Sequence, residues 1–397
     1  NPMILEGSSP DIIGSHPFPK IQNKSLNFMV KLKGSDVFGN SPKLAVVPAP
    51  RILPRYIKLP KKISQDKDTY IFLSSLIHEN VDKLFPGLKV WGCHQFRFTM
   101  NSNLVFDDED LNDIKKSLTR LLPERKFNEA VRLEVVKDCP KDILKFLKAQ
   151  YKLNDIDIYK INGPVNLNRF YSIYDEIKKK ELKFSVYKPN NNSLQKAKGN
   201  KFFEDLKERD VLLHHPYNDF KIVTNFLKLA VFDKNTVAIK QTIYRTSLDS
   251  EIIKLLIKAA KRNIAVTVVI ELRAKFDEEN NIKIAKKLED VGVQVTYGIR
   301  KYKTHAKALL IVRKENNQLV NYFHLATGNY NSKTASLYTD FGLISSNKQI
   351  GHDIHKFFLQ LTGSNKDMKY KHLFLSLIHI SEPTRPLYIS YAVFCLK

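Results

Sequence analysis

The chain has 397 residues, 43% of them hydrophobic and 27% charged, with a formal net charge of +24. These values argue against a disordered chain and allow two or three packed domains; no run of about 18 apolar residues suggests a membrane-spanning helix. The cationic excess favours polyanionic partners such as nucleic acid, an anionic membrane or polyphosphate, although a lysine-rich composition alone accounts for it equally well.

Residues 1–60 are rich in proline, with strand-like pieces at Leu26–Leu32 and Leu44–Val47 and a rigid turn at Ser15-His16-Pro17-Phe18-Pro19. A helix is expected over Tyr70–Leu84, stopped by Pro86-Gly87, and a strand over Val90–Thr99. Asp107–Leu122 reads as an amphipathic helix with acidic residues in its first turn. A strand over Val131–Val136 and a helix over Pro140–Gln150 complete an α+β domain, residues 1–187. Residues 188–200, with Pro189-Asn190-Asn191-Asn192-Ser193, form a linker.

From 201 to 363 strands and helices alternate. Strands are expected at Thr236–Tyr244, Ile264–Leu272, Val293–Tyr297, His305–Val312 and Val320–Leu325. Between them run helices at Glu251–Arg262, capped by Ser250, and at Asn281–Val291. This order predicts an α/β sheet. The tail, 364–397, has no clear periodicity after about Ser376, and no internal repeat is visible. Cys93, Cys139 and Cys395 are too few and scattered for a disulfide framework or a Cys-rich zinc site, which points to a reducing compartment. No signal peptide is expected, and the start at Asn1 reads as a truncated chain.

His305-Ala-Lys307, at the head of an apolar strand, carries the chemistry. A neutral imidazole can attack phosphorus while a lysine holds the phosphoryl oxygens. Alone the motif is weak, but ligands of open α/β sheets gather at strand ends. Asp340 is the candidate to fix the imidazole tautomer. Thr327, Gly328 and Asn329 lie in a turn that either aims N–H groups at phosphate or is an ordinary turn. Arg245 ends one strand with a planar donor fork. The charged stretch Glu271–Asn281 reads by default as a solvated, self-paired loop. His214 and His215 point apart in an extended chain and read as structural. Gly-rich nucleotide loops and the Gly-x-Ser-x-Gly and His-Glu-x-x-His motifs are absent from the sequence.

Taken together, His305-Ala-Lys307, Thr327–Asn331, Tyr338-Thr339-Asp340, Tyr244–Ser247 and Phe276–Asn281 resemble the bacterial ATP-dependent polyphosphate kinases of the phospholipase D-like type. Arg209–Tyr217, His16–Pro19, Leu84–Gly87 and Val131–Glu134 match as well, so the similarity runs from about Ile12 to Gly363. The resemblance implies an α+β middle domain followed by an α/β phospholipase D-like catalytic domain. It implies reversible transfer of the ATP γ-phosphate to polyphosphate, with Mg2+ and ADP as product. His305 becomes the phosphohistidine, Lys307, His324 and Asp340 its catalytic neighbours, and Tyr338 a nucleotide-stacking ring. Arg245 and Lys275 fall on a magnesium-associated site; neither can ligate the metal, so both are expected to clamp phosphate around it. A cytoplasmic or membrane-peripheral location and, in the full-length family, a homo-oligomer are implied, with no specific nucleic-acid partner.

The chain departs from the family in several places. Lys275 and Arg273 exchange the family's arginine and lysine, which moves the planar fork. Met100 and Asn103 replace an arginine and an aspartate. Val312 stands where phospholipase D chemistry needs Asp, which argues against the alternative of a nuclease or phosphatidyltransferase. The family's N-terminal helical domain and last catalytic module have no counterpart, and the sequence after about 375 is unlike the family. A weak or inactive fragment is therefore expected, the other alternative being an inert basic polyanion-binding fragment.

Overall fold

The computed structural model describes residues 2–5, 18–35, 43–65, 68–104, 106, 110, 113–123, 125, 128–189, 199–299, 302–363, 368–375 and 395–396. Residues 15–17 of the turn expected at Ser15–Pro19, residues 190–198 of the linker expected at 188–200, and most of the tail lie outside them. Two compact units emerge: Asn1–Val105 with Arg120–Phe184, and Phe106–Thr119 with Ser185–Lys397.

The first unit is built on strands β1 (Met3–Leu5), β2 (Asn27–Lys33), β3 (Leu44–Pro48), β4 (Tyr56–Lys58), β5 (Tyr70–Phe72), β6 (Lys89–Met100), β7 (Ala130–Val136) and β8 (Ile158–Ile161). Six of these form one sheet, ordered β1-β3-β2-β6-β7-β8. Period-two alternation divides its apolar residues between two faces. Met29, Phe96, Phe98, Leu133 and Val135 pack with Ile143 and Leu147 of the helix Lys141–Gln150. Phe28, Val30, Leu32 and Cys93 pack on the other side with Val81 and Phe85.

The helix expected over 70–84 is broken. Tyr70–Phe72 instead pairs antiparallel with β4, and helix follows only at Leu73–Glu79, with a 3₁₀ turn at Val81–Leu84. Tyr56 meets Tyr70 edge-on and Phe72 meets Phe170 edge-on, at 5.6 and 5.1 Å. These aromatic partners are distant in sequence and outcompete the local helical pattern. The helix expected over 107–122 is described only at Ile114–Leu121.

The second unit holds β9 (Val211–His215), β10 (Thr236–Ile243), β11 (Ala265–Ile270), β12 (Gln294–Thr296), β13 (Lys307–Glu315), β14 (Gln318–Ala326) and β15 (Asp340–Ser345). Their order is β12-β11-β10-β13-β14-β15-β9. β10, β11 and β12 are parallel, and the remaining pairs are antiparallel, so the α/β sheet is mixed. Ser250 does cap its helix, Glu251–Lys261, its Oγ accepting the Ile253 N–H at 3.3 Å. The β13–β14 hairpin turns on Asn316 and Asn317, both at positive φ (46° and 62°), as a tight two-residue turn requires. The helix Lys348–Leu361 lays Ile354, Phe357, Phe358 and Leu361 against Ala308, Leu310, Phe323 and Leu325.

β13 starts two residues later than expected, so His305 precedes the strand rather than opening it. The far end of β13 is fixed by Arg313, which is 4% exposed. Its guanidinium donates to Asp233 at 2.6 Å, to Asn200 at 3.1 Å and to Glu315, and lies 4.1 Å from the Phe203 ring.

Candidate functional site

The antiparallel registers determine which side chains share a face. Lys307 faces Ala326, Ala326 faces Gly342, and Asp340 faces His215. Lys307, Asp340 and His215 therefore project from one side of the sheet, with His324, opposite Leu309, further in.

Lys307 is 4% exposed. Its ammonium donates to the His305 carbonyl at 2.7 Å and lies 3.1 Å from each of Nδ1 and Nε2 of that imidazole. Tyr244 backs the pair, edge-on to His305 at 4.9 Å and 5.4 Å below the Lys307 ammonium. Burial pushes the lysine down to about 8; Asp340 opposes this and Arg245 adds to it. The His305 segment is tied to β10 by Thr242, whose hydroxyl donates to the Ala306 carbonyl at 2.7 Å and accepts the Ala308 N–H at 2.9 Å.

Arg245 and Lys275 are brought together. Arg245 Nη2 donates to the Lys275 carbonyl at 3.1 Å, and its Nε lies 3.5 Å from Asp277. Arg273, where the fork has moved, donates instead to the Tyr302 carbonyl, so it acts within the fold.

Three expectations need correction. Asp340 does not hold the His305 imidazole; its Oδ1 accepts the Thr327 hydroxyl at 2.8 Å, and its charge acts on Lys307. The Thr327 N–H is not aimed at a ligand, because it donates to the Phe341 carbonyl at 3.0 Å, while Thr327 Oγ1 accepts the Phe341 N–H. Gly328 has no Cβ because the Asp340 carboxylate occupies that space, with Oδ2 2.4 Å from where a Cβ would lie. The third concerns Glu271–Asn281, which is largely not a solvated loop: Glu271, Glu278 and Asn281 are 2%, 4% and 0% exposed.

His324 is 1% exposed, with Nδ1 2.9 Å from the Tyr330 hydroxyl, and burial pushes its imidazole down to about 3. Its Nε2 is buried and has no hydrogen-bond partner among the described residues. The Tyr338 ring is 63% exposed and open to stacking. Asn329, by contrast, has a buried Oδ1 with no partner among the described residues. His214 stacks on Phe341 at 4.5 Å while His215 Nδ1 bonds the Asn218 carbonyl at 2.7 Å, so the two point apart as expected.

Glu271 and Asn281 are buried polar residues beside the site that the sequence reading does not single out. A carboxylate directly after the apolar run Val266–Ile270 was the available signal, since a buried acid needs dedicated donors. The cations of the site supply no metal ligands. Arg245, Lys275 and Lys307 only donate, and no group of three or more His, Cys, Asp or Glu suited to a metal occurs among the described residues.

Residues 9–173 match the polyphosphate kinase middle domain, and residues 201–367 match the polyphosphate kinase C-terminal domain 1. The polyphosphate kinase of Pseudomonas aeruginosa is 46% identical over 359 residues, 90% of this chain and 52% of the relative. That of Xylella fastidiosa (strain 9a5c) is 47% identical over 363 residues, 91% of this chain and 51% of the relative. The crystal structure of polyphosphate kinase from Porphyromonas gingivalis shares the fold, with a TM-score of 0.72 at 23% identity over 94% of this chain and 53% of that one. The chain thus spans about half the length of the relatives it matches. Across its two matched regions, it belongs to the polyphosphate kinase family, comprising the middle domain and the first C-terminal domain.

Proposed function

We propose that this chain carries the phosphoryl-accepting half of a polyphosphate kinase active site, with His305 as nucleophile. The observation that carries this reading is the Lys307 ammonium 3.1 Å from the ring nitrogens of His305 and buried against Tyr244. A cation in that position can move from the imidazole to the oxygens of an arriving phosphoryl group. One ring nitrogen of His305 attacks the γ-phosphorus of ATP. The N–P bond forms as the bond from phosphorus to the β–γ bridging oxygen breaks, and ADP leaves with the electron pair. A terminal phosphate oxygen of polyphosphate then displaces the imidazole, and the chain is lengthened by one unit; both steps are reversible. Arg245 and Lys275 clamp the non-bridging oxygens, and Tyr338 offers its exposed ring to the base. Mg2+, when bound, would sit on the phosphate oxygens and neutralise part of their charge.

Incubation with γ-labelled ATP tests this reading. Base-stable, acid-labile label is expected on His305 and is lost in His305→Ala. In the 397-residue chain alone the label is expected to be weak, and strong in a chain extended to its relatives' length. Absence of label at His305 in both lengths sinks the proposal; retained polyphosphate binding would then leave a basic polyanion-binding chain, and nucleotide-independent phosphodiester cleavage a nuclease or phosphatidyltransferase.

A further inference from the structure

Three segments converge on His305: the end of β10 with Tyr244 and Arg245, the loop after β11 with Arg273 and Lys275, and the run Thr304–Lys307. One buried side chain joins them. Glu271, just past β11, is 2% exposed, and both of its carboxylate oxygens accept backbone donors. Oε1 takes the Arg273 N–H at 2.8 Å, and Oε2 takes the Thr304 N–H at 2.5 Å. The Glu271 N–H donates to the Ile243 carbonyl at 3.0 Å. Its carbonyl accepts Asn281 Nδ2 at 2.9 Å, and the same amide nitrogen donates to the Tyr244 carbonyl at 2.9 Å. The carboxylate thus holds the residue immediately before His305, while Asn281 holds the tyrosine against which His305 packs.

We propose that Glu271 is a positioning residue for phosphoryl transfer, which fixes the His305 backbone through the Thr304 N–H and registers it against the Tyr244–Arg245 and Arg273–Lys275 segments. The proposal rests on His305 being the reactive group. A carboxylate is the side chain suited to the task, because two N–H donors converge on it from different segments and both of its oxygens only accept. Glutamine offers one oxygen and one NH2, so Glu271→Gln leaves one backbone N–H facing a donor while volume is preserved. The effect belongs to geometry rather than affinity, since Arg245, Lys275 and Lys307 remain to bind the anion. A displacement of about 1 Å at a reacting atom can slow a reaction by about a hundredfold.

Phosphoramidate, a small phosphoryl donor, provides a test that needs no nucleotide. The imidazole nitrogen forms a bond to phosphorus as the P–N bond to the amino group breaks, and the amino group leaves as ammonia. Label at His305 is read by peptide mass spectrometry against His78, an exposed histidine far away in sequence. At saturating phosphoramidate, Glu271→Gln is expected to lower the His305-to-His78 ratio about tenfold, with the half-saturating concentration held within about twofold. An unchanged ratio in a folded variant overturns the proposal. Should the variant not fold, amide exchange in the unaltered chain decides: the Thr304 N–H is expected to exchange at least about a hundredfold more slowly than in an unstructured peptide, and the unstructured rate overturns the proposal. Label absent from His305 in the unaltered chain overturns it together with the reading on which it rests. A Glu271-dependent phosphoramidate label without any ATP label sinks the kinase reading alone.

Discussion

At the residue scale, Lys307 links stability and chemistry with opposite signs. Its folded value of about 8 lies below the ordinary 10.5 of lysine. Between those values the unfolded chain binds more protons than the folded one, so the lysine's contribution to stability rises with pH through that window. Over the same window the ammonium needed by the phosphoryl oxygens is lost. Thermal melts and His305 labelling measured from pH 7 to 10 should therefore diverge, with this contribution to melting rising while labelling falls above about pH 8. Lys307→Met should flatten the first trend and abolish most of the second. Labelling that holds steady to pH 10 in the unaltered chain would remove the cation from the mechanism. The His-x-Lys pair was legible in the sequence because two residues apart on an extended chain lie on one side. Asp340 was assigned to the wrong partner because the sequence could not show that Gly328 leaves room for its carboxylate, nor that Thr327 would bind it.

At the element scale, the spacing of β14 and β15 depends on a missing side chain. A Cβ on Gly342 would lie 2.6 Å from His324 Nε2, and that ring cannot retreat because Tyr330 holds its other nitrogen. Gly342→Ala should destabilise the second unit by about 1–3 kcal/mol, read as a lower urea midpoint at unchanged slope. A midpoint equal to that of the parent would show that the strands can part freely there. Local signals placed β10, β11 and the helix Glu251–Lys261 well, since an apolar run and a serine cap are properties of neighbouring residues. They failed at Tyr70–Phe72, whose partner strand and aromatic contacts lie elsewhere in the chain. They failed again at β9, which was not read as a strand. Its place is given by pairing with β15, more than a hundred residues away. The charged run after β11 misled for a related reason: charge suggests water until the donors that pair with a buried acid are known.

At the scale of the whole molecule, β13 carries a buried cation near each end, Lys307 and Arg313, each 4% exposed. Arg313 is enclosed by Asp233, Glu315 and Asn200. Lys307 has no carboxylate in hydrogen-bonding range among the described residues, only the imidazole and carbonyl of His305 and the more distant charge of Asp340. The charge of Arg245 acts on Lys307 and depresses it further, and the chain is +24 overall. An anion that seats beside Lys307 should raise the melting temperature, by an amount that grows with the logarithm of its concentration above the dissociation constant. Polyphosphate is expected to do so at low ionic strength, and the shift should shrink steeply between about 50 and 200 mM salt. The same shift in Lys307→Met would place the anion elsewhere. One strand is thus asymmetric in a way its hydrophobic pattern conceals. Arg313 is a rivet, closed and complete. The Lys307 end is buried without a carboxylate partner among the described residues, and an anion seated there would complete its pairing.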